Sequence, residues 1–202
     1  MNIRYAGIVL SFCFLISKFS FAQGILPGFK EDKTKPAEPA PEYVLIGNPV
    51  PDKLNVTTAN GNSRALLSYK PANDVLVVGF FSAKCPLNQE KWGAIRRLYQ
   101  EYKEWHAIFI GVSVLPDETR DELDQLMAKD GLTFTVVRDE GGHLAHKLHV
   151  LAVPQIVVID EYGHLRFRGN LKDARQALDD TISHEDLKMD LEPQNIEGCP
   201  IP

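Results

Sequence analysis

The sequence predicts an α/β domain with a mixed, mainly parallel central sheet and helices on both faces. Three observations predict it. Runs rich in β-branched and aromatic residues recur at 75–81, 107–114, 133–137 and 154–160, and the first two are apolar enough to be buried on both faces. Stretches with apolar residues three to four apart separate them, and strands alternating with helices favour parallel pairing. Glu161-Tyr162-Gly163 then makes a tight turn between the last two strands, so that pair is antiparallel and the sheet mixed.

In chain order, Met1-Asn2-Ile3-Arg4 is a short positive region, residues 5–16 are apolar, and Ser20 and Ala22 are small. These are the parts of a secretory signal, so residues 1–22 are expected to be removed before Gln23 and the remainder exported, to a periplasm or secreted. The apolar run, about 12 residues, is short of the roughly 20 that span a bilayer. A lipoprotein cut at Cys13 would follow the bulky Phe12 and truncate the apolar region. Removing residues 1–22 takes away Arg4, Lys18 and no acid, which moves the net charge from −5 to −7. No stretch is basic enough for nucleic acid, and nothing after the signal calls for a membrane.

Residues 23–50 are rich in proline and charge around Lys33 to Glu42 and read as an extended tether. The domain proper is expected at 51–183, followed by a polar tail, 184–202, that carries Cys199. Within the domain, Asn60-Gly61-Asn62 predicts a turn between 54–57 and 65–67. The strand at 75–81 leads to a helix beginning at Pro86 and ending near Trp105, with Trp92, Ile95, Tyr99 and Tyr102 on its apolar face. After the strand at 107–114, Asp117 is the expected N-cap of a helix carrying Leu123, Leu126 and Met127, closed by Gly131. A strand at 133–137, a short helix at 144–149, a strand following Pro154, a strand at 164–169 and a helix at 171–182 complete the domain.

The chemistry centres on Cys85. It lies between a buried strand and a helix whose first residue is Pro86, a position that needs no N–H. A thiol there meets unpaired backbone N–H groups and the positive end of the helix dipole, and Lys84 adds a positive charge; all three favour the thiolate. The alternative is a small, buried, inert cysteine. After signal removal Cys85 and Cys199 are the remaining cysteines, an even pair in an oxidising compartment and so a candidate disulfide. Their distance in sequence leaves open whether they meet.

With its strand–Cys85–Pro86–helix unit, Val153-Pro154 before a strand, and Ile159-Asp160-Glu161-Tyr162-Gly163 before the last strand, the chain resembles the thioredoxin fold. Within that fold it resembles the redoxins that include peroxiredoxins (AhpC/TSA) and TlpA-like proteins, over roughly 53–182. The ending Glu197-Gly198-Cys199-Pro200-Ile201 is similar to exported redoxin-domain proteins with one Cys-Pro motif and a terminal Gly-Cys. The resemblance implies a cis bond at Val153–Pro154 against the reactive sulfur. It also implies that Ser82, Lys84, Pro86, Asn88 and Pro154 shape the site.

The chain departs from the family at several positions. Asn88 stands where thioredoxins and TlpA-like reductants have their second cysteine, so a resolving thiol would be Cys199, a partner protein or a small thiol. Val78 and Ser82 stand where peroxiredoxins have proline and threonine, and Gln155 where they have arginine, with Arg138 the nearest substitute. Gly79 replaces a buried acid of thioredoxins. The resemblance therefore implies a thiol-based oxidoreductase acting on a disulfide or a peroxide, with Cys85 attacking and Cys199 resolving. Its partners would be thiol, disulfide or peroxide substrates and a redox partner protein, and no organic cofactor is needed. Two alternatives remain at this stage: a non-catalytic binding module with a peptide groove near Pro154, and a copper-handling protein using His143, His146 and His149. Residues six apart on a helix point apart, which argues against those three histidines converging, and no metal site is assigned.

Overall fold

Strand formation at the centre of the molecule follows from a seven-residue run buried on both faces, with Gly79 alone of the seven half-buried. The computed structural model describes residues 42–115, 117–129, 131–185 and 196–201. The expected signal segment and residues 23–41 of the expected tether lie outside the described residues. The described chain runs β1 (Asn55–Thr57), β2 (Ser63–Ala65), β3 (Val75–Phe81), α1 (Pro86–Tyr102), β4 (Ala107–Ser113), α2 (Arg120–Lys129), β5 (Thr135–Arg138), α3 (His143–Lys147), β6 (Ala152–Val153), β7 (Gln155–Ile159), β8 (Leu165–Gly169), α4 (Leu171–Ile182) and β9 (Cys199–Pro200).

One sheet has the order β2-β1-β5-β4-β3-β7-β8, and β6 pairs separately with β9. Among the described residues, parallel pairing is confined to β3–β4 and β4–β5. The β1–β2, β1–β5, β3–β7 and β7–β8 pairs are antiparallel. The sheet is mixed as expected, yet less parallel than strand–helix alternation implies. The reason is that hairpins form both edges and β7 returns beside β3 in the opposite sense.

The pleat of β3 sends alternate side chains to two cores. Leu76, Val78 and Phe80 pack with Leu144, Ala145 and Leu148 of the α3 region and with Val44 and Val50. Val75, Val77 and Phe81 pack with Trp92, Ile95 and Leu98 of α1, Leu123 and Met127 of α2, and Ala174, Ala177 and Leu178 of α4. Each valine, leucine, isoleucine, phenylalanine or methionine among them contributes about 1.5–3 kcal/mol by leaving water. Gly79 pairs with Gly111 across β3 and β4. A Cβ on Gly111 would lie 2.7 Å from Phe81 and 3.0 Å from Phe134, so the two rings fill the space that glycine leaves.

Three helix boundaries differ from expectation. α1 stops at Tyr102 rather than near Trp105, because the chain turns through a left-handed His106 (φ 56°); Trp105 is left 64% exposed. α2 is capped by Thr119, not Asp117. The Thr119 N–H donates to Glu122 Oε2 at 2.7 Å and the Glu122 N–H to Thr119 Oγ1 at 3.2 Å, a reciprocal capping box. α3 runs over His143–Lys147 instead of 144–149, and Asp139 holds its start, its carboxylate accepting the N–H groups of Leu144 and Ala145 at 2.9 and 2.8 Å.

Residues 42–50 fall in the stretch read as tether, but here they are docked. The N–H groups of Val44, Gly47 and Val50 donate to the carbonyls of Lys147, Leu165 and Gly163. The buried Arg168 donates to the carbonyls of Val44 at 2.8 Å and Leu148 at 3.2 Å. Its guanidinium lies over Tyr43, which in turn stacks on His149 at 3.9 Å. The packed chain thus begins before residue 51, seeded by the apolar residues from Tyr43 to Ile46.

Candidate active site around Cys85

The site is built where β3 ends and α1 begins. Cys85 is the N-cap residue of α1 and Pro86 opens the helix. The loop is closed by the Cys85 N–H donating to Ser82 O at 3.3 Å and the Asn88 N–H donating to Cys85 O at 3.1 Å. Asn88, 1% exposed, adds its side-chain amide to Ser82 O at 2.5 Å. Its Oδ1 is buried and accepts no hydrogen bond among the described residues.

Cys85 is 3% exposed and is joined to Cys199, with Cα atoms 6.0 Å apart. The tail arrives by antiparallel pairing of β9 with β6, Val153 opposite Cys199 and Ala152 opposite Pro200. Beyond it, the Ile201 N–H donates to Leu151 O at 3.1 Å. On the near side Lys91 Nζ meets Glu197 Oε2 at 2.8 Å, and the Glu197 N–H donates to Asn170 Oδ1 at 3.3 Å. The Lys91 hydrogen bond holds the Glu197 carboxyl below its ordinary range. Cys85 Sγ lies 3.6 Å from Val153 O, and the Val153–Pro154 bond is cis, as the resemblance implies. The structure therefore gathers Ser82, Cys85, Pro86, Asn88, Pro154 and Cys199 at one end of the sheet.

Lys84 is placed differently from the sequence expectation. Its ammonium donates to Asp117 Oδ2 at 2.6 Å and to Asp117 O at 2.9 Å. That hydrogen bond raises the Lys84 pKa and lowers the Asp117 pKa. The charge is committed to an exposed acid, because Asp117 is free of the capping duty that Thr119 performs. The helix N-terminus is left as the described feature that favours a Cys85 thiolate.

Sequence reading missed Glu118. This residue is 1% exposed behind the Cys85 loop. Its Oε1 accepts the Ser82 hydroxyl at 2.6 Å and the Lys84 N–H at 3.3 Å, and its Oε2 accepts the Ser113 hydroxyl at 2.6 Å. Its backbone carbonyl accepts the Arg138 guanidinium. The available signal was that Ser82 and Ser113 follow or end adjacent parallel strands, in which Phe81 pairs with Ser113. An acid in the next loop can reach both hydroxyls.

Gln155, at the position where peroxiredoxins have arginine, and Arg138, the nearest substitute, are both occupied elsewhere. Arg138 is directed to Glu118 O, and Gln155 Oε1 accepts the Leu151 N–H at 3.2 Å. His143 and His146 lie on α3 while His149 stacks on Tyr43. Among the described residues no group of three His, Cys, Asp or Glu side chains could hold a metal ion. Clefts of about 280 and 410 Å³ are lined by Glu161, Tyr162 and His184 and include no residue of the Cys85 site.

No curated protein matches the chain. Among solved structures, a hypothetical protein from Sinorhizobium meliloti 1021 superposes with a TM-score of 0.63 at 18% identity, covering 79% of this chain and 93% of that one. A Chlorobium tepidum protein, provisionally assigned as thiol:disulfide interchange protein DsbE, gives 0.57 at 16% identity, covering 69% and 99%. A thioredoxin-like protein from Aeropyrum pernix gives 0.53 at 20%, covering 62% and 87%. At these identities the similarity establishes the fold, which is thioredoxin-like. The AhpC/TSA family model matches residues 46–168, from the docked N-terminal segment through β8. A match over more than half of the chain, on that fold, makes this protein a member of the AhpC/TSA family of thioredoxin-fold redoxins.

Proposed function

We propose that the protein is an exported thiol–disulfide oxidoreductase in which Cys85 is the attacking thiol and Cys199 the resolving one. The observation that carries this reading is the Cys85–Cys199 bond beside cis-Pro154, with Cys85 at the start of α1. In the reduced chain the Cys85 thiolate attacks one sulfur of a substrate disulfide. A Cys85–substrate bond forms and the other substrate sulfur leaves as thiolate. Cys199, as thiolate, then attacks Cys85 Sγ, forming the Cys85–Cys199 bond and releasing the substrate's second sulfur. Two electrons pass to the substrate, and an external thiol returns the chain to its reduced form.

A disulfide substrate is favoured over a peroxide by the commitments of Arg138 and Gln155. Peroxide reduction in this family relies on a guanidinium beside the sulfur, and the arginine nearest in sequence is turned to the Glu118 carbonyl. Export rests on the character of residues 1–22. Among the described residues no helix is long and apolar enough to cross a membrane.

The test is mass spectrometry of reduced protein after exposure to oxidised glutathione or to hydrogen peroxide. Wild type is expected to lose two hydrogens and yield a peptide joining Cys85 to Cys199. Cys199→Ser should instead retain a glutathione adduct on Cys85, and Cys85→Ser should form neither product. Faster oxidation by peroxide than by the disulfide would transfer the reading to peroxide reduction. Equal oxidation of Cys85→Ser and wild type would refute both.

A further inference from the structure

The β6 edge beside Cys85 holds one strand, and its occupant is the chain's own Glu-Gly-Cys-Pro tail. We propose that this edge selects extended polypeptide segments with a glycine immediately before the reacting cysteine, preceded by an acidic residue, and that the tail is an internal competitor of that form. The inference rests on the proposed oxidoreductase reading and adds to it the kind of substrate.

The glycine requirement comes from backbone atoms. A Cβ on Gly198 would lie 2.4 Å from Val153 O, 2.9 Å from Val153 C and 3.0 Å from the Ala152 Cβ. The first two belong to the backbone immediately before the cis proline, where no side-chain rotation can make room. A segment that puts its cysteine opposite Val153 along the tail's backbone path, with Gly198 at φ 157°, brings its preceding residue to the same place. The position after the cysteine is less demanding. In an antiparallel pair the hydrogen-bonded positions alternate, and Ile201 rather than Pro200 supplies the next N–H, to Leu151 O. A residue without an N–H is therefore accommodated there. Two positions before the cysteine, Lys91 meets the Glu197 carboxylate, with Asn170 taking the backbone N–H. Leu151, 47% exposed beside the edge, offers apolar surface to an incoming chain. This is strand addition, in which backbone bonds supply affinity and the close contacts supply selectivity.

The exchange balances. The Cys85 thiolate attacks the segment's cysteine sulfur, and the thiol formerly bonded to that sulfur leaves as thiolate. Cys199 then attacks Cys85, the segment's cysteine departs as thiolate, and the tail regains the edge.

The experiment uses the full mature chain with Cys199→Ser, reduced at Cys85. Two peptides are compared, Glu-Gly-Cys-Pro-Ile and Glu-Ala-Cys-Pro-Ile, each carrying 5-thio-2-nitrobenzoate on its cysteine, with release of the coloured thiolate as readout. Each rate is divided by the same peptide's rate with free glutathione. The glycine peptide is expected to react about tenfold faster or more, the scale of discrimination one methyl group gives in a tight site. In otherwise wild-type protein, Gly198→Ala should lower the equilibrium constant for the Cys85–Cys199 bond in a glutathione buffer by a similar factor. Normalised peptide rates within about twofold of each other, well below that discrimination, would overturn the selectivity and leave the oxidoreductase reading standing. Absence of reaction with either peptide would overturn both.

Discussion

Replacing Glu118 by alanine should destabilise the folded protein by about 3–5 kcal/mol. The carboxylate accepts two short hydroxyl bonds, from Ser82 and Ser113 at 2.6 Å each, and a longer one from the Lys84 N–H at 3.3 Å. Hydrogen bonds to a charged acceptor contribute about 1.5–3 kcal/mol each, so the two short ones at the lower bound give about 3 kcal/mol. The Lys84 bond and the space vacated by the side chain raise the figure toward 5 kcal/mol. Ser82 is 0% and Ser113 2% exposed, so water cannot replace the lost acceptor without opening the core. The assay is urea unfolding followed by far-ultraviolet circular dichroism, with the Cys85–Cys199 bond intact in both proteins and equal slopes required. Glu118→Gln should cost less, since its remaining carbonyl oxygen still serves one hydroxyl. Ser82→Ala combined with Glu118→Ala should show a coupling of about 1 kcal/mol or more, because the two side chains share one bond. A Glu118→Ala loss below about 1 kcal/mol, or strict additivity with Ser82→Ala, would show that this buried carboxylate does not hold the Cys85 loop.

Thr119→Ala removes the side-chain half of the α2 capping box, in which Thr119 Oγ1 accepts the Glu122 N–H, and keeps the backbone half; it should cost about 1 kcal/mol in the same unfolding assay. No loss would mean that α2 is fixed by Leu123 and Met127 alone. Lys91→Met should affect stability in a pH-dependent way. Lys91 lowers the Glu197 pKa from its ordinary 4.5. A depressed acid contributes stability above its unfolded value and loses it as the pH falls through the folded one. The Tm advantage of wild type over Lys91→Met is therefore expected above pH 4.5 and should close as the solution is made more acidic. An advantage that stayed constant through that range would remove Glu197 ionisation from the account of the tail's anchoring.

Much of the scaffold was legible because its signals are local. The β3 run, Pro86 after Cys85, the Asn60-Gly61-Asn62 turn and the Glu161-Tyr162-Gly163 turn each act through neighbouring residues, and each lies where the pattern placed it. Cys85 was legible for the same reason, since a strand, a loop thiol and a helix start are contiguous. What escaped depends on residues distant in sequence. Glu118 is an ordinary loop acid until β3 and β4 are laid parallel and bring two serines to it. Arg168 looks like an exposed strand residue until the 43–50 segment returns to cover it, an event that the neighbouring prolines conceal. Lys84 is not legible locally because its partner, Asp117, also has the character of a helix cap; the Thr119–Glu122 spacing marks the actual cap and leaves Asp117 to Lys84.

Under the proposed cycle, Asn88 accounts for the place of the second thiol on the tail. Its amide and the Cys85 N–H both donate to Ser82 O, tying together the loop that presents Cys85. A cysteine at 88 would surrender the amide bond, because a thiol is a weak donor, and would leave the buried carbonyl with one partner fewer. At this position loop closure and a local resolving thiol are alternatives. Placing the thiol on β9 removes the conflict and introduces a different constraint. Cys199 is joined to Cys85 with β9 paired to Ala152 and Val153, the edge that a substrate strand would take under the proposal. In a Cys-x-x-Cys site the resolving thiol lies three residues along the same helix face, and its place does not depend on which strand holds the edge. Here, under the proposed cycle, attack by Cys199 requires the substrate strand to yield the edge, so resolution and release become a single event.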